Sequence, residues 1–492
     1  MSLIPLQLPP GIYRNGTDFE SSNRWRDSNL IRWHDGSMRP VGGWITKKEN
    51  AFASTPRALI SWVDNTGTTN LASGTHNKLY YVSESNTVAD ITPTALIGGS
   101  VDAEINTEYG GNFYGTAFYG TSRPSSGIYQ EATTWALDTW GENLLACSSK
   151  DGNIYEWALN PSSVATVVTN APTNNKGLVV TEERFVLALG AGGNPRKVQW
   201  CARENNTVWT ASATNEAGDF ELQTTGQIMC GSRVKGRTLI LTDNDAHIAS
   251  YSGAPFVYGF ERVGTACGVS SRKALVSVDE GAYWMGTAGF YVFNGSVAQE
   301  IQCDVVDYVF EDINYNQISK VQAVHNSRHA EIWWFYPSGD STENDRYVAF
   351  DYKENHWSVG TIDRTACIDR GVFDTPIWAD ADGNLYNHEI GNVHGTATPY
   401  AESGAISLGN GDTIMKVTNL IPDEKTQGQV KVTFKTRSYP NDTESTHGAY
   451  NLTNPTSVRF SGRQVRIRVE GNGNNNWRSG IMRIDAQPGG KR

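Results

Sequence analysis

Hydrophobic and polar positions along this chain repeat one short cycle. An apolar run enters a Gly/Asn/Asp turn and returns as an apolar residue followed by tyrosine. Residues 377–386 give the plainest copy, Ile-Trp-Ala-Asp-Ala-Asp-Gly-Asn-Leu-Tyr. Others lie at 71–80, 144–155 and 283–291, with a looser copy at 239–251. Each is a strand, a tight turn and a returning strand, because Asp-Gly and Gly-rich turns supply the positive φ that hairpins need. Hairpins spaced by about 40 residues mark a radial β-repeat. The pattern predicts an all-β chain with a β-propeller over residues 55–395. About seven blades are expected, and six or eight also fit the spacing.

Three stretches depart from the cycle. Residues 1–54 read as an extended N-terminal segment with a hairpin at 29–44, whose turn is His34-Asp35-Gly36-Ser37. Such a hairpin suits closing a ring or packing on a distant domain. Residues 93–132 read as a loop inserted between blades. Their Gly/Tyr-rich part, 109–121, cannot bury a core of its own, and long loops in compact folds tend to carry function. Tyr109, Tyr114 and Tyr119 are therefore candidate contacts with another subunit or a partner. Beyond residue 396 the period is two, at 413–419, 429–436 and 464–470, with Asn, Gly and Pro between. Residues 396–492 read as a separate β-sandwich-like domain. In its last clear strand Val465, Ile467 and Val469 share the core face, and Arg466 and Arg468 share the other. The best helical candidate is a short acidic piece at 303–313.

Composition sharpens this. The chain has 492 residues, 11% aromatic and 38% hydrophobic, which suits thin aromatic-rich sheets. No stretch approaches the ~20 apolar residues of a membrane helix. The N-terminus lacks a basic region and Pro5 cuts its apolar run, which argues against a secretory signal. The six cysteines are scattered without a Cys-x-x-Cys pair and read as buried, reduced thiols. The net charge of −11 argues against a broad phosphate-gripping surface. From Arg459 onward, however, eight basic residues face two acidic ones. This basic tail reads either as a solvated strand face or as a contact between subunits, with Arg463, Arg466, Arg468, Arg478 and Arg483 as candidate contacts.

Candidate chemistry is sparse. His34-Asp35, His325, His329 and His356 lack metal-ligand spacing, and no His-Glu-x-x-His, Gly-x-Ser-x-Gly or phosphate-loop motif occurs. Asp380-Ala-Asp-Gly383 lacks the third acidic position of a calcium loop and reads as a hairpin turn. Ser149-Lys-Asp-Gly152 has the wrong spacing for the Asp-box of sialidases. Asp243/Asp245 and Asp380/Asp382 are carboxylate pairs of the kind a glycosidase uses. The block Trp333-Trp334-Phe335-Tyr336 reads as a buried blade strand. The reading predicts no catalytic residue, no metal and no cofactor, hence no enzyme.

Several segments together resemble the tail nozzle proteins of short-tailed bacteriophages, also called tail tubular B-type or packaged-DNA stabilisation proteins. They are Leu-Ile-Arg-Trp-His-Asp-Gly at 30–36 with Pro-Val-Gly-Gly-Trp at 40–44, then Tyr-Gly-Thr-Ala-Phe-Tyr-Gly at 114–120. Next come 135–146, Glu-Ile-Trp-Trp-Phe-Tyr-Pro at 331–337, Asn-Asp-Arg-Tyr at 344–347 and the closing Arg-Ile-Asp-Ala-Gln-Pro-Gly-Gly at 483–490. The resemblance implies a homo-oligomer, expected as a hexamer, forming the distal ring of a virion tail after synthesis in the host cytoplasm. It implies docking on the adaptor below the portal, and contact with tail spikes, fibres or a needle. Genomic DNA would pass through the lumen without sequence-specific binding. The alternatives are a propeller that binds or cleaves glycans and a generic propeller interaction module.

Overall fold

A computed structural model describes residues 2–105, 129–411 and 413–490. The Gly/Tyr segment 109–121, with Tyr109, Tyr114 and Tyr119, lies outside the described residues.

The fold class is a seven-bladed β-propeller with a β-sandwich attached. Each blade is a four-stranded antiparallel sheet. The innermost strands are Pro56–Val63, Trp135–Trp140, Gly177–Val180, Ile228–Val234, Leu275–Val278, Gln322–Asn326 and Ala366–Ile368. Each neighbours the next around a ring, and the seventh neighbours the first. Blade 7 draws its outermost strand from the start of the chain: Trp44–Lys48 pairs antiparallel with Leu385–His388. The ring is thus closed by residues more than 300 positions apart in sequence.

Strand side chains alternate between two faces, and here the two faces serve different cores. In the second strand of blade 2, Leu144 and Ala146 pack toward blade 1, among Trp62, Tyr81 and Trp135. Leu145 and Cys147 pack toward blade 3, among Leu178, Val186 and Trp209. The block at 333–336 follows the same rule. Trp333 and Phe335 meet Trp378 of blade 7, while Trp334 meets Phe290 of blade 5 and Trp357. Blade strands are therefore apolar on both faces, unlike a sheet with one wet side.

In two of the five copies the recurring tyrosine shares one structural task. Tyr155 donates its hydroxyl to Asp151 at 2.7 Å, and Tyr386 donates to Asp380 at 2.8 Å. In both copies the turn carboxylate also accepts backbone N–H groups, from Asn153 and Asn384 respectively. The Asp fixes the turn and the Tyr of the returning strand pins the Asp.

The sandwich is built across the whole chain. One sheet runs Ser2–Leu6, Met482–Gly490, Ile414–Ile421, Thr456–Gly462; the other runs Trp25–Asn29, Tyr400–Ser403, Gln464–Gly471, Val430–Arg437, Ser445–Asn451. Val465, Ile467 and Val469 are buried opposite Val417, Leu420, Phe460 and Ile484. The first 48 residues are thus shared out: one strand to each sandwich sheet, one strand to blade 7, and a hairpin between. That hairpin, Ile31–His34 with Ser37–Pro40, turns on Asp35 and Gly36, both at positive φ (49° and 73°). Its two-residue turn matches the twist of its strands. The helix Val306–Asp312 bridges blades 5 and 6. Among the described residues no helix is long and apolar enough to cross a membrane.

Candidate functional site

Two surfaces stand out: the axial mouth of the propeller and the open edge of the sandwich.

The mouth lies on the face where the innermost strands begin. Basic residues stand at or just before five of those seven starts: Arg57, Lys176, Arg272 with Lys273, Lys320 and Arg364. Arg57, Arg272 and Lys320 are answered by a carboxylate from a loop, and Arg57, Lys320 and Arg364 are buried. Arg57 meets both oxygens of Glu343 at 2.6 and 2.7 Å. Lys320, with no exposed side chain, donates to Asp102, to Glu343 at 2.9 Å and to the Thr342 carbonyl at 2.6 Å. Burial pushes the Glu343 carboxyl up, but Arg57 and Lys320 outweigh it and hold the group below its usual range. Arg272 pairs with Glu131 at 3.0 Å and donates to the Met229 carbonyl at 2.8 Å. Arg364 stacks over Tyr386 and Trp44 and donates to His388 at 2.9 Å. Burial and the Arg364 charge push His388 well below its ordinary value, so it is the neutral acceptor that this bond requires.

Two adjoining cavities, of about 280 and 240 Å³, open between blades 2 to 5 and share Lys176 and Arg272. Lys150, Lys176, Arg233, Arg272 and Lys273 line them against Glu131 and Asp138. Asp138 is tied to Arg233 at 3.1 Å and accepts from the Val180 N–H at 2.8 Å. The Lys273 ammonium has no hydrogen-bond partner among the described residues, and burial brings its pKa down to about 8. The mouth is an electropositive funnel in an acidic protein, able to retain an anionic group.

The second surface is Ser445–Asn451, the outermost strand of its sandwich sheet, paired only on its inner side, to Val430–Arg437. Five of its seven residues are exposed, and it carries no Lys, Arg, Asp, Glu or Pro. Its inner side chains are fixed: His447 accepts or donates to Thr436 at 3.0 Å and stacks on Phe460.

The tail arginines divide. Arg466 and Arg468 do share one face of Gln464–Gly471, but their acidic partners stand in the same domain. Arg466 bonds Glu402 at 2.8 Å and Glu444 at 3.2 Å. Arg468 bonds Glu470 at 3.0 Å and lies 3.5 Å over the Tyr400 ring. This face is an internal ion network around the buried Glu402, which also takes Lys435 at 2.8 Å. The sequence separates Glu402 from Arg466 by 64 positions, so pairing was invisible there. Arg463 stacks over Tyr439. Arg478 and Arg483 are exposed, at a domain seam and on Met482–Gly490 respectively.

The other candidates scatter. Asp245 is buried and bonded by Thr224 and Thr242, and Asp380 serves its turn. His325 meets Tyr352 at 3.1 Å and His329 lies 3.5 Å from Glu389. His34 meets Glu354 at 3.2 Å on an exposed hairpin tip. Sequence reasoning missed the axial cations, whose signal was a basic residue just ahead of successive inner strands.

No family model and no curated protein matches this chain. Solved structures do. Virginiamycin B lyase from Staphylococcus aureus is similar over 70% of this chain and 98% of its own, at 7% identity and TM-score 0.45. A streptogramin B lyase gives the same coverage and identity at TM-score 0.42. PorZ, a surface component of the type-IX secretion system of Porphyromonas gingivalis, is similar over 85% of this chain and 46% of its own, at 10% identity and TM-score 0.39. The chain is a β-propeller module.

The likeness is one of fold and transfers no residue role. It does correct one expectation. The reading of the chain as no enzyme is withdrawn, because propellers similar to it include lyases, and a propeller fold is no sign against catalysis.

Proposed function

We propose that this propeller module is a building block of a ring-shaped assembly, and that the assembly is the tail nozzle which the sequence resemblance implies. The observation that carries the reading is the sandwich edge Ser445–Asn451. Soluble proteins blunt exposed edge strands with lysine, proline, bulges or a covering loop, because a bare edge templates pairing with another chain. Here seven residues carry neither lysine nor proline, and the bulge at Gly448 and Ala449 is the one such device within the strand. A second support is the shared N-terminal segment, which fastens propeller and sandwich by strands in both. A block joined in this way holds one shape while its copies associate around an axis, as closed rings need. Adaptor, spike or fibre proteins would then dock on the propeller faces, in a virion tail.

Native mass spectrometry with negative-stain electron microscopy tests this. A closed ring of six copies is expected, alone or after addition of a portal adaptor. A chain that stays monomeric at high concentration, with and without that adaptor, would overturn it.

The electropositive axial mouth favours a second reading, a propeller that holds an acidic glycan. An array of charged and neutral glycans separates the two. Selective retention of acidic glycans, lost in Lys273→Met and Lys176→Met, would favour it.

A further inference from the structure

Beyond the axial mouth, a second cationic cavity lies where propeller and sandwich meet. Four stretches distant in sequence build it. The hairpin strand Ser37–Pro40 supplies Arg39. The turn between Gln322–Asn326 and Glu331–Tyr336 supplies Arg328 and His329. The segment after Leu385–His388 supplies Asn392, and the sandwich loop before Ser479 supplies Asn476 and Arg478. Main-chain hydrogen bonds fix the junction. Met38 and Ser479 exchange both N–H···O bonds at 3.0 Å, and the Gly43 N–H donates to the Gly391 carbonyl at 2.9 Å. The buried Trp477 anchors the loop that carries Arg478. The cavity is open to solvent and has a volume of about 430 Å³.

The charges in this cavity cancel less fully than those of the Arg57–Glu343–Lys320 cluster at the axial mouth. Glu389 also lines it, and together with Glu331 it binds Arg32, with His329 3.5 Å from Glu389. Arg32 takes Glu331 at 2.7 and 2.8 Å and Glu389 at 2.6 and 2.9 Å. Asn326, Trp333 and the Gly42 N–H take remaining lone pairs of the two carboxylates. That leaves Arg39, Arg328 and Arg478. Among the described residues none of these three has a carboxylate within salt-bridge reach, and Nε of Arg39 is buried with no partner at all. Asp351 and Glu354 approach from the far side of Arg328. Asp351 receives the N–H groups of Lys353 and Glu354, and Glu354 holds His34. Burial, with repulsion from Arg32 and Arg478, draws the Arg39 pKa below its usual value. Like charges gathered around a space, one of them with a buried orphan donor, cost free energy unless an anion sits among them.

We propose that this seam cavity is a binding site for a small phosphate-bearing ligand, held by Arg39, Arg328 and Arg478 with Asn392 and Asn476 as neutral donors. Guanidinium groups present planar forks that match phosphate oxygens bidentately, which lysines do not. All three cations are arginines. The volume admits one phosphate with a small substituent, and the walls come from both domains, so the ligand would lock sandwich to propeller. The site is independent of how many copies assemble.

Calorimetric titration of the full chain with inorganic phosphate, against chloride at matched ionic strength, tests it. Saturable binding of one phosphate per chain is expected, with a rise in Tm that chloride does not give. Arg328→Gln and Arg478→Gln alter exposed side chains and should fold normally, yet each should weaken phosphate binding at least tenfold. Arg483→Gln, exposed elsewhere on the sandwich, should leave it unchanged. A glucose phosphate that binds as well as phosphate or better would extend the site to phosphate esters. Phosphate binding no tighter than chloride, or equal in all three variants, would overturn the proposal. So would a single-stranded oligonucleotide that binds with the same arginine dependence while phosphate does not, since the surface would then track a nucleic-acid backbone.

Discussion

The propeller and the sandwich are both built of antiparallel sheets, and they cover those sheets in different ways. In the propeller each blade is covered on both faces by its neighbours, and the ring closes on itself through Trp44–Lys48. In the sandwich two sheets cover each other on one face only, and Ser445–Asn451 is left as a bare edge. Both regions keep outermost strands paired on one side only, such as Gly218–Glu221 in blade 3 and Ser445–Asn451 in the sandwich, so they differ in how the sheet faces are covered and in the length of the free edge. On the proposed reading, copies associate through the sandwich edge and partners meet the propeller faces.

The largest effect expected comes from removing residues 1–48. The deletion takes the closing strand from blade 7 and one strand from each sandwich sheet. It should abolish cooperative unfolding and leave an insoluble chain. A soluble truncated chain with one sharp melting transition would break the view that both regions depend on this segment.

Next in size is Arg32→Met. It leaves Glu331 and Glu389 buried beside blade 6 without their counter-charge, and removing one partner of a buried ion pair costs about 3–5 kcal/mol. Urea unfolding measures it. The pH dependence carries the sign. Burial raises the Glu389 carboxyl, but Arg32 outweighs burial and holds it well below its usual range. A carboxylate depressed in the folded state contributes stability above its unfolded pKa, lost as pH falls through the folded one. The parent should therefore lose stability as the medium turns acidic. In Arg32→Met the dependence should reverse, because a buried carboxylate without its cation favours the protonated form. Equal acid profiles for the two proteins would remove Arg32 from this role.

Smaller, and confined to the sandwich, is Glu402→Gln. It leaves Arg466, Arg468 and Lys435 without their shared carboxylate, for a loss of about 1–3 kcal/mol. Hydrogen exchange should rise in Tyr400–Ser403 and Gln464–Gly471 and stay unchanged in blades 1 to 4. Faster exchange around the whole propeller would mean that the two regions unfold as one.

How much of this was legible in the sequence follows from the range of each interaction. The hairpin cycle is local, so Asp380 and Tyr386, or Asp151 and Tyr155, announce a blade within a dozen residues. The alternation in Gln464–Gly471 likewise separates Val465, Ile467 and Val469 from Arg466 and Arg468. What those arginines meet is not local: Glu402 arrives from another strand, and Asp18 comes from the N-terminal segment to Arg437. The same holds for Trp44–Lys48, which carries no mark of its partner in blade 7, and for Arg39, Arg328 and Arg478, which no spacing connects. Faces can be read from a period, whereas partners need the fold.

The smallest effect on stability, and the most direct test of the comparison, is at the bare edge. Thr446 and Asn451 are exposed on Ser445–Asn451, and lysine at an edge strand opposes pairing with another chain by charge and by its long solvated stem. Thr446→Lys with Asn451→Lys touches no core side chain: His447 and Tyr450, which pack on Phe460 and Phe434, are left in place. The change in unfolding free energy should stay within about 0.5 kcal/mol, as for surface substitutions generally. Assembly should nonetheless fall sharply, seen as a shift from ring to monomer in native mass spectrometry. The same two lysines on an outer blade strand, at Phe220 and Glu221 in Gly218–Glu221, should leave the ring intact. If the edge variant forms rings as well as the parent, association runs through another surface. If the blade variant dissociates while the edge variant does not, the comparison is inverted and association runs through the outer blade strands.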